Sequence, residues 1–145
     1  MEVNEGILKC YLFYSSLLIL KFLLTDILSS LLRMSKGIFA NPEDAACSPQ
    51  GLVSQSDPEI QRWCRALRND LENILPFLFL GGALVASNPG YGTALWCFRL
   101  FFLTRVAHTV LYLKEMAQPS RGIVFGVGLT INLYMSVQIL THFVF

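Results

Sequence analysis

The stretch 122–145 contains no aspartate, glutamate, lysine or arginine. A helix that is apolar all round has no face to offer water, and that is the signature of a membrane segment. Crossing the hydrocarbon takes about 20 mostly apolar residues. Three other stretches approach that pattern: 7–32, interrupted by Lys9, Lys21 and Asp26; 71–87; and 93–116, which carries Arg99, Arg105 and His108. Charge is correspondingly scarce, at 14% of residues against about 25% in a soluble domain. The expectation is an all-α integral membrane protein: one domain, a bundle of four transmembrane helices over about residues 7–33, 59–87, 93–116 and 121–145, with a cytoplasmic loop over about 34–58.

Local signals place the boundaries. Asp57-Pro58 supplies an N-cap and a first-turn proline, so the second helix is expected to begin near Glu59, ahead of its apolar part. Pro76 removes a backbone hydrogen bond and is expected to kink that helix. The Asn88–Gly92 and Ala117–Ser120 connections are rich in turn residues. Gly81, Gly82, Gly126 and Gly128 are expected to permit close helix contact. The first residues carry Glu2 and Glu5, with no basic region and no A-x-A site, so the first stretch reads as an uncleaved helix. Arg33, Lys36, Arg62, Arg65 and Arg68 flank the first connection, and Lys114 and Arg121 flank the third. Basic residues mark the cytoplasmic side, which puts both termini on the other face.

A net charge of +1 suggests no nucleic-acid partner. Four cysteines without a CxxC, and two histidines, make neither a metal site nor a disulfide framework.

Polar residues inside a membrane are costly and need partners. One group is Arg65, Arg68, Asn69, Glu72 and Asn73. Arg65, Asn69 and Glu72 share a helix face, and Arg68 sits four residues before Glu72, where the two can pair. The group reads equally as a solvated helix end or as part of a site. A second group, Arg105, His108 and Tyr112, lies on one stripe, either as an interhelical network with Asp26, Glu72 or a backbone carbonyl, or as a site. The partners of Lys21 and Asp26 are expected on other helices. Arg121 opens the last helix, where free N–H groups favour an anion; it is equally suited to anchoring the chain at the cytoplasmic surface. All three groups converge on that side, which points to an anionic, polar ligand beside apolar faces able to hold a lipophilic partner.

The strings Phe39-Ala40-Asn41-Pro42-Glu43-Asp44, Arg65-Ala66-Leu67-Arg68-Asn69-Asp70-Leu71-Glu72-Asn73-Ile74, Arg105-Val106-Ala107-His108-Thr109-Val110-Leu111-Tyr112 and Gln118-Pro119-Ser120-Arg121 resemble the membrane-associated proteins in eicosanoid and glutathione metabolism. The resemblance runs from about Arg33 to the end of the last helix. It implies a homotrimer in the endoplasmic reticulum membrane, and also in the mitochondrial outer membrane, with glutathione bound between subunits. The glutathione contacts it implies are Arg68, Asn69, Glu72, His108, Tyr112 and Arg121, with Arg33 reaching in from a neighbour. Asp44, Arg65 and Arg105 are implied as accessory residues, and Arg121 as the catalytic residue facing the sulfur. The thiolate then attacks a lipophilic electrophile, or reduces a lipid hydroperoxide, reached from the membrane lipid.

Within that family the strings around Asn69 and Gln118 resemble the microsomal glutathione transferases, and the Arg105 string the prostaglandin E synthases. Gly122 and Phe125 replace a serine and an aromatic hydroxyl of the synthases. Ala45 stands where the transferases carry a reactive cysteine, with Cys47 two residues on as an alternative modifiable thiol. Leu67 replaces a histidine of the family's pattern. A non-catalytic lipid-binding protein of the same fold is the third reading, and the retained glutathione contacts argue against it.

Overall fold

A computed structural model describes residues 4–144; Glu2 and Phe145, on which the reading of the first segment and the end of the last helix partly rested, lie outside the described residues. Four long helices dominate: α1 (Glu5–Lys36), α3 (Pro58–Ala86), α4 (Tyr91–Leu113) and α5 (Ser120–Val144). Asn4 caps α1 by accepting from the Gly6 and Ile7 amides, and Gly37 ends it at φ 63°, a left-handed conformation that glycine adopts without penalty. Asp57 caps α3 through the Glu59 and Ile60 amides at 3.1 and 2.9 Å, with Pro58 in the first turn as expected. The helix continues unbroken through Pro76.

The connection between α1 and α3 is not a plain loop. It holds a five-residue helix, α2 (Pro42–Ala46), and two two-residue strands, β1 (Ile38–Phe39) and β2 (Leu52–Val53), paired in parallel. The pairing folds the connection back against the end of α1.

Each of α3 and α4 packs against the other and against both α1 and α5, whereas the backbones of α1 and α5 do not approach each other among the described residues. The centre is aromatic. Phe77 stacks on Phe101 with centroids 4.1 Å apart and meets Phe98 edge-on at 5.9 Å. Gly81 lets the Tyr11 ring lie against α3, and Gly128 faces Thr104 and Phe101; a Cβ on Gly126 would meet nothing within 4 Å among the described residues. The exterior is inverted relative to a water-soluble protein. Leu12, Phe13, Leu31, Phe79, Leu103 and Leu133 are exposed, while Asp70, Arg105, His108 and Asn132 are buried. An outer surface this apolar suits lipid.

Among the described residues three helices, α1, α4 and α5, are long and apolar enough to cross a membrane. The expected fourth, α3, matches them in length but not in composition. Its N-terminal half carries Arg62, Arg65, Arg68, Asn69, Asp70 and Glu72.

Candidate functional site

The buried face of α3 runs Ala66, Asp70, Asn73, Ile74 and Phe77, at spacings of three and four that bring one carboxylate into the bundle core. Asp70 is fully buried. A bare carboxylate there would be prohibitive, and two other helices, α1 and α4, supply the groups that compensate it. Arg105 Nη2 from α4 donates to Asp70 Oδ1 at 3.1 Å. Lys21 Nζ from α1 donates to the other oxygen and to the Thr109 hydroxyl. Thr109 Oγ1 lies 3.1 Å from Asp70 Oδ2 as its donor. The cluster therefore carries two cations for one carboxylate. Arg105 Nε and Nη1 are buried without a partner.

Arg105 reaches outward from this cluster. Its Nη2 also donates to Asn69 Oδ1 at 2.6 Å and lies 3.2 Å from His108 Nδ1. Asn69 and His108 form the floor of a cavity of about 390 Å³, within the range typical of small-molecule sites. Tyr112, one turn beyond His108, and Gln118, Arg121, Gly122 and Phe125 form its walls. Gln118 Oε1 accepts from the Gly122 amide at 3.1 Å, closing the first turn of α5. The Arg121 guanidinium lies 5.0 Å from the centroid of the Tyr112 ring, and its Nε is buried with no partner. A smaller cavity of about 200 Å³ adjoins it, lined by Arg62, Arg65, Tyr112, Glu115 and Arg121. Arg62 and Glu115 pair across its rim, tying α3 to the turn after α4.

Asn69, His108, Tyr112 and Arg121 thus share one cavity, Arg65 lines its neighbour, and Arg105 stands behind the floor. Arg33 lies elsewhere in the fold. Its Nη2 donates to Cys64 Sγ at 3.2 Å, and it lines a separate cavity of about 340 Å³ with Asp44 and Cys47. Cys47 is exposed at the end of α2, its thiol 3.5 Å from the Glu43 carbonyl. Two expectations are corrected. Arg68 and Glu72 do not pair; both project from the exposed side of α3, away from the face that holds Asp70. Neither Asp26 nor Glu72 partners Arg105; Asp26 is exposed, and the partner is Asp70. Lys21 does find its partner on another helix, as expected.

Asp70 and Gln118 are the residues that the sequence reading missed. The signal for Asp70 was its place four and seven residues before Ile74 and Phe77, on the apolar stripe of α3. For Gln118 it was the amide just before Pro119 and the start of α5.

The MAPEG family model matches residues 11–141. Microsomal glutathione S-transferase 1 of Mus musculus is 36% identical over 142 residues, covering 95% of this chain and 92% of the relative. The Homo sapiens microsomal glutathione S-transferase 1 is 33% identical over the same shares. Prostaglandin E synthase of Homo sapiens is 38% identical over 140 residues, covering 97% of this chain and 92% of the relative. With a helical membrane fold and full-length similarity of this kind, the chain belongs to the MAPEG family.

Proposed function

We propose that the protein is a membrane-bound glutathione transferase that stabilises the glutathione thiolate for attack on lipophilic electrophiles, and for reduction of lipid hydroperoxides. The observation that carries the reading is the cavity between His108 and Arg121. Its wall holds an arginine with a buried, unpartnered Nε, and its floor an amide and an imidazole fixed from behind by a second arginine. Spare cationic donors suit a ligand with two carboxylates. Full-length similarity to microsomal glutathione S-transferase 1 supports the same reading.

Glutathione supplies the thiol, and the chain supplies charge and orientation. A model thiol has a pKa near 8.5, and keeping it ionised at neutral pH takes about two units, roughly 2.7 kcal/mol. Arg121 is the catalytic residue in this scheme. Held against Tyr112 with its Nε free, it stabilises the thiolate, and the proton leaves to solvent. Asn69, His108 and Tyr112 orient the peptide. Arg33, Arg68 and Glu72 do not line this cavity. They complete the site in a homotrimer, where a neighbour covers the outward face of α3; Arg68 and Glu72 would then hold a carboxylate and the amine. Arg65 and Arg105 contribute positive charge, and Asp44 shapes the separate Arg33 cavity. In this reading α3 is the fourth membrane span, its polar half lying toward the cytoplasm, and the protein resides in the endoplasmic reticulum membrane.

The alternative is a glutathione-dependent prostaglandin endoperoxide isomerase, favoured by the 38% identity to the human prostaglandin E synthase. Gly122 and Phe125 line the cavity here, so neither position offers a hydroxyl beside Arg121.

The test is ultraviolet difference absorbance of the thiolate on detergent-purified protein, with Arg121→Ala alongside. Wild type is expected to form the thiolate and the variant to lose the signal while keeping its helical content. Near-normal thiolate formation and conjugation by Arg121→Ala would sink the assignment. Product assays with an aryl halide and a prostaglandin endoperoxide then separate the two branches.

A further inference from the structure

Arg105 Nη2 carries two hydrogens and faces three acceptors: Asn69 Oδ1 at 2.6 Å, Asp70 Oδ1 at 3.1 Å and His108 Nδ1 at 3.2 Å. One hydrogen is therefore shared. A guanidinium has no lone pair to offer, so His108 Nδ1 is the acceptor of that contact. An imidazole that accepts at Nδ1 carries its hydrogen on Nε2. His108 lines the cavity that holds Arg121, and its Nε2 has no protein partner among the described residues. What holds Arg105 at this angle is Asp70, fully buried and itself fixed through its second oxygen by Lys21 and Thr109.

We propose that Asp70 is a positioning residue: through Arg105 it locks His108 in the tautomer with hydrogen on Nε2, so that His108 serves the cavity as a hydrogen-bond donor and not as the base that takes the thiol proton. The part concerning glutathione rests on the transferase reading above. The charged groups around the ring are consistent with the donor role. Arg105 on its own helix, Lys21 from α1 and Arg121 from α5 are cations, and only Asp70 from α3 is an anion. A proton moving onto His108 would enter that surplus of positive charge and break the contact with Arg105.

The test has two arms on the full-length protein in detergent. In the first, ring nitrogens are ¹⁵N-labelled. The chain has only two histidines, so His142→Gln leaves the His108 signal alone. Wild type is expected to show the Nε2–H tautomer, and Asp70→Asn a mixture of tautomers. The Nδ1–H form in wild type, or an unchanged signal in Asp70→Asn, overturns the proposal. Asp70→Asn leaves two buried cations unpaired; should it fail to fold, Lys21→Met/Asp70→Asn removes one charge of each sign and carries the same expectation. In the second arm, His108→Gln keeps an N–H donor but supplies no base. Its kcat is expected within about tenfold of wild type, with KM for glutathione raised, whereas loss of a general base costs about 10²–10⁴-fold. A kcat drop of the latter size overturns the donor role. The first arm needs no glutathione. A locked tautomer in a protein that binds no glutathione therefore refutes the transferase reading and leaves the lock standing.

Discussion

The buried cluster of Lys21, Asp70 and Arg105 makes an asymmetric prediction about stability. Removing one partner of a buried ion pair costs about 3–5 kcal/mol, because the other charge stays buried and uncompensated. At Asp70 two cations depend on one carboxylate, and Arg105 is fully buried. Asp70→Asn should therefore cost at least the usual 3–5 kcal/mol. Lys21→Met is different. It leaves Asp70 and Arg105 as one charge of each sign, with Thr109 still donating at 3.1 Å. Only 14% of the Lys21 side chain is exposed, and methionine reoccupies most of its stem volume. The expected cost is below about 1 kcal/mol. For a chain of this length each kcal/mol moves the melting midpoint by about 2–4 °C. Melting followed by far-ultraviolet circular dichroism, at one scan rate in one detergent, should place Asp70→Asn about 6–20 °C below wild type and Lys21→Met within about 4 °C. A Lys21→Met midpoint as low as that of Asp70→Asn would refute the reasoning, since Lys21 would then be an indispensable partner and not the surplus charge.

Three further outcomes follow from local geometry. A Cβ on Gly81 would lie 2.7 Å from the Tyr11 ring, whose hydroxyl donates to the Leu78 carbonyl at 2.8 Å; Gly81→Ala is expected to destabilise by about 1–3 kcal/mol, and Tyr11→Leu in the same chain to recover part of the loss, both read from melting midpoints. Glu115 sits at φ 58°, so Glu115→Ile should cost about 1–2 kcal/mol more than Glu115→Gly in the same melts. The Asp57 carboxyl is held below its ordinary value of 3.8, chiefly by the Ile60 amide and further by Lys36; with a depressed folded-state pKa, its contribution is present above pH 3.8 and lost as pH falls through the lower folded value, so exchange protection of the Glu59 and Ile60 amides should fade in that acid range, and Asp57→Asn should remove the pH dependence.

Elements fixed by contiguous residues were legible in the sequence. The start of α3 is one, because Asp57 and Pro58 act within a single turn. The apolar stretches of α1, α4 and α5 are another, because hydropathy accumulates along one segment. The β1–β2 pairing was not legible. Two residues per strand carry no alternation to read, and their bonds exist only once the connection folds back on α1.

The site was half legible for a related reason. A polar residue in an apolar segment announces a cost, but the residue that offsets it is chosen by rotation about two helix axes. Lys21 and Asp26 are five positions apart, about 140° around α1. When Lys21 turns inward to Asp70, Asp26 is therefore carried to the exposed side. On α3, Asp70 lies about 100° from Asn69 and about 160° from Arg68 and Glu72. A rotation that buries Asp70 leaves Asn69 at the margin, where it meets both Arg105 and the cavity, and sends Arg68 and Glu72 outward. The same rotation that builds the floor of the cavity thus turns Arg68 and Glu72, both expected at the site, away from it.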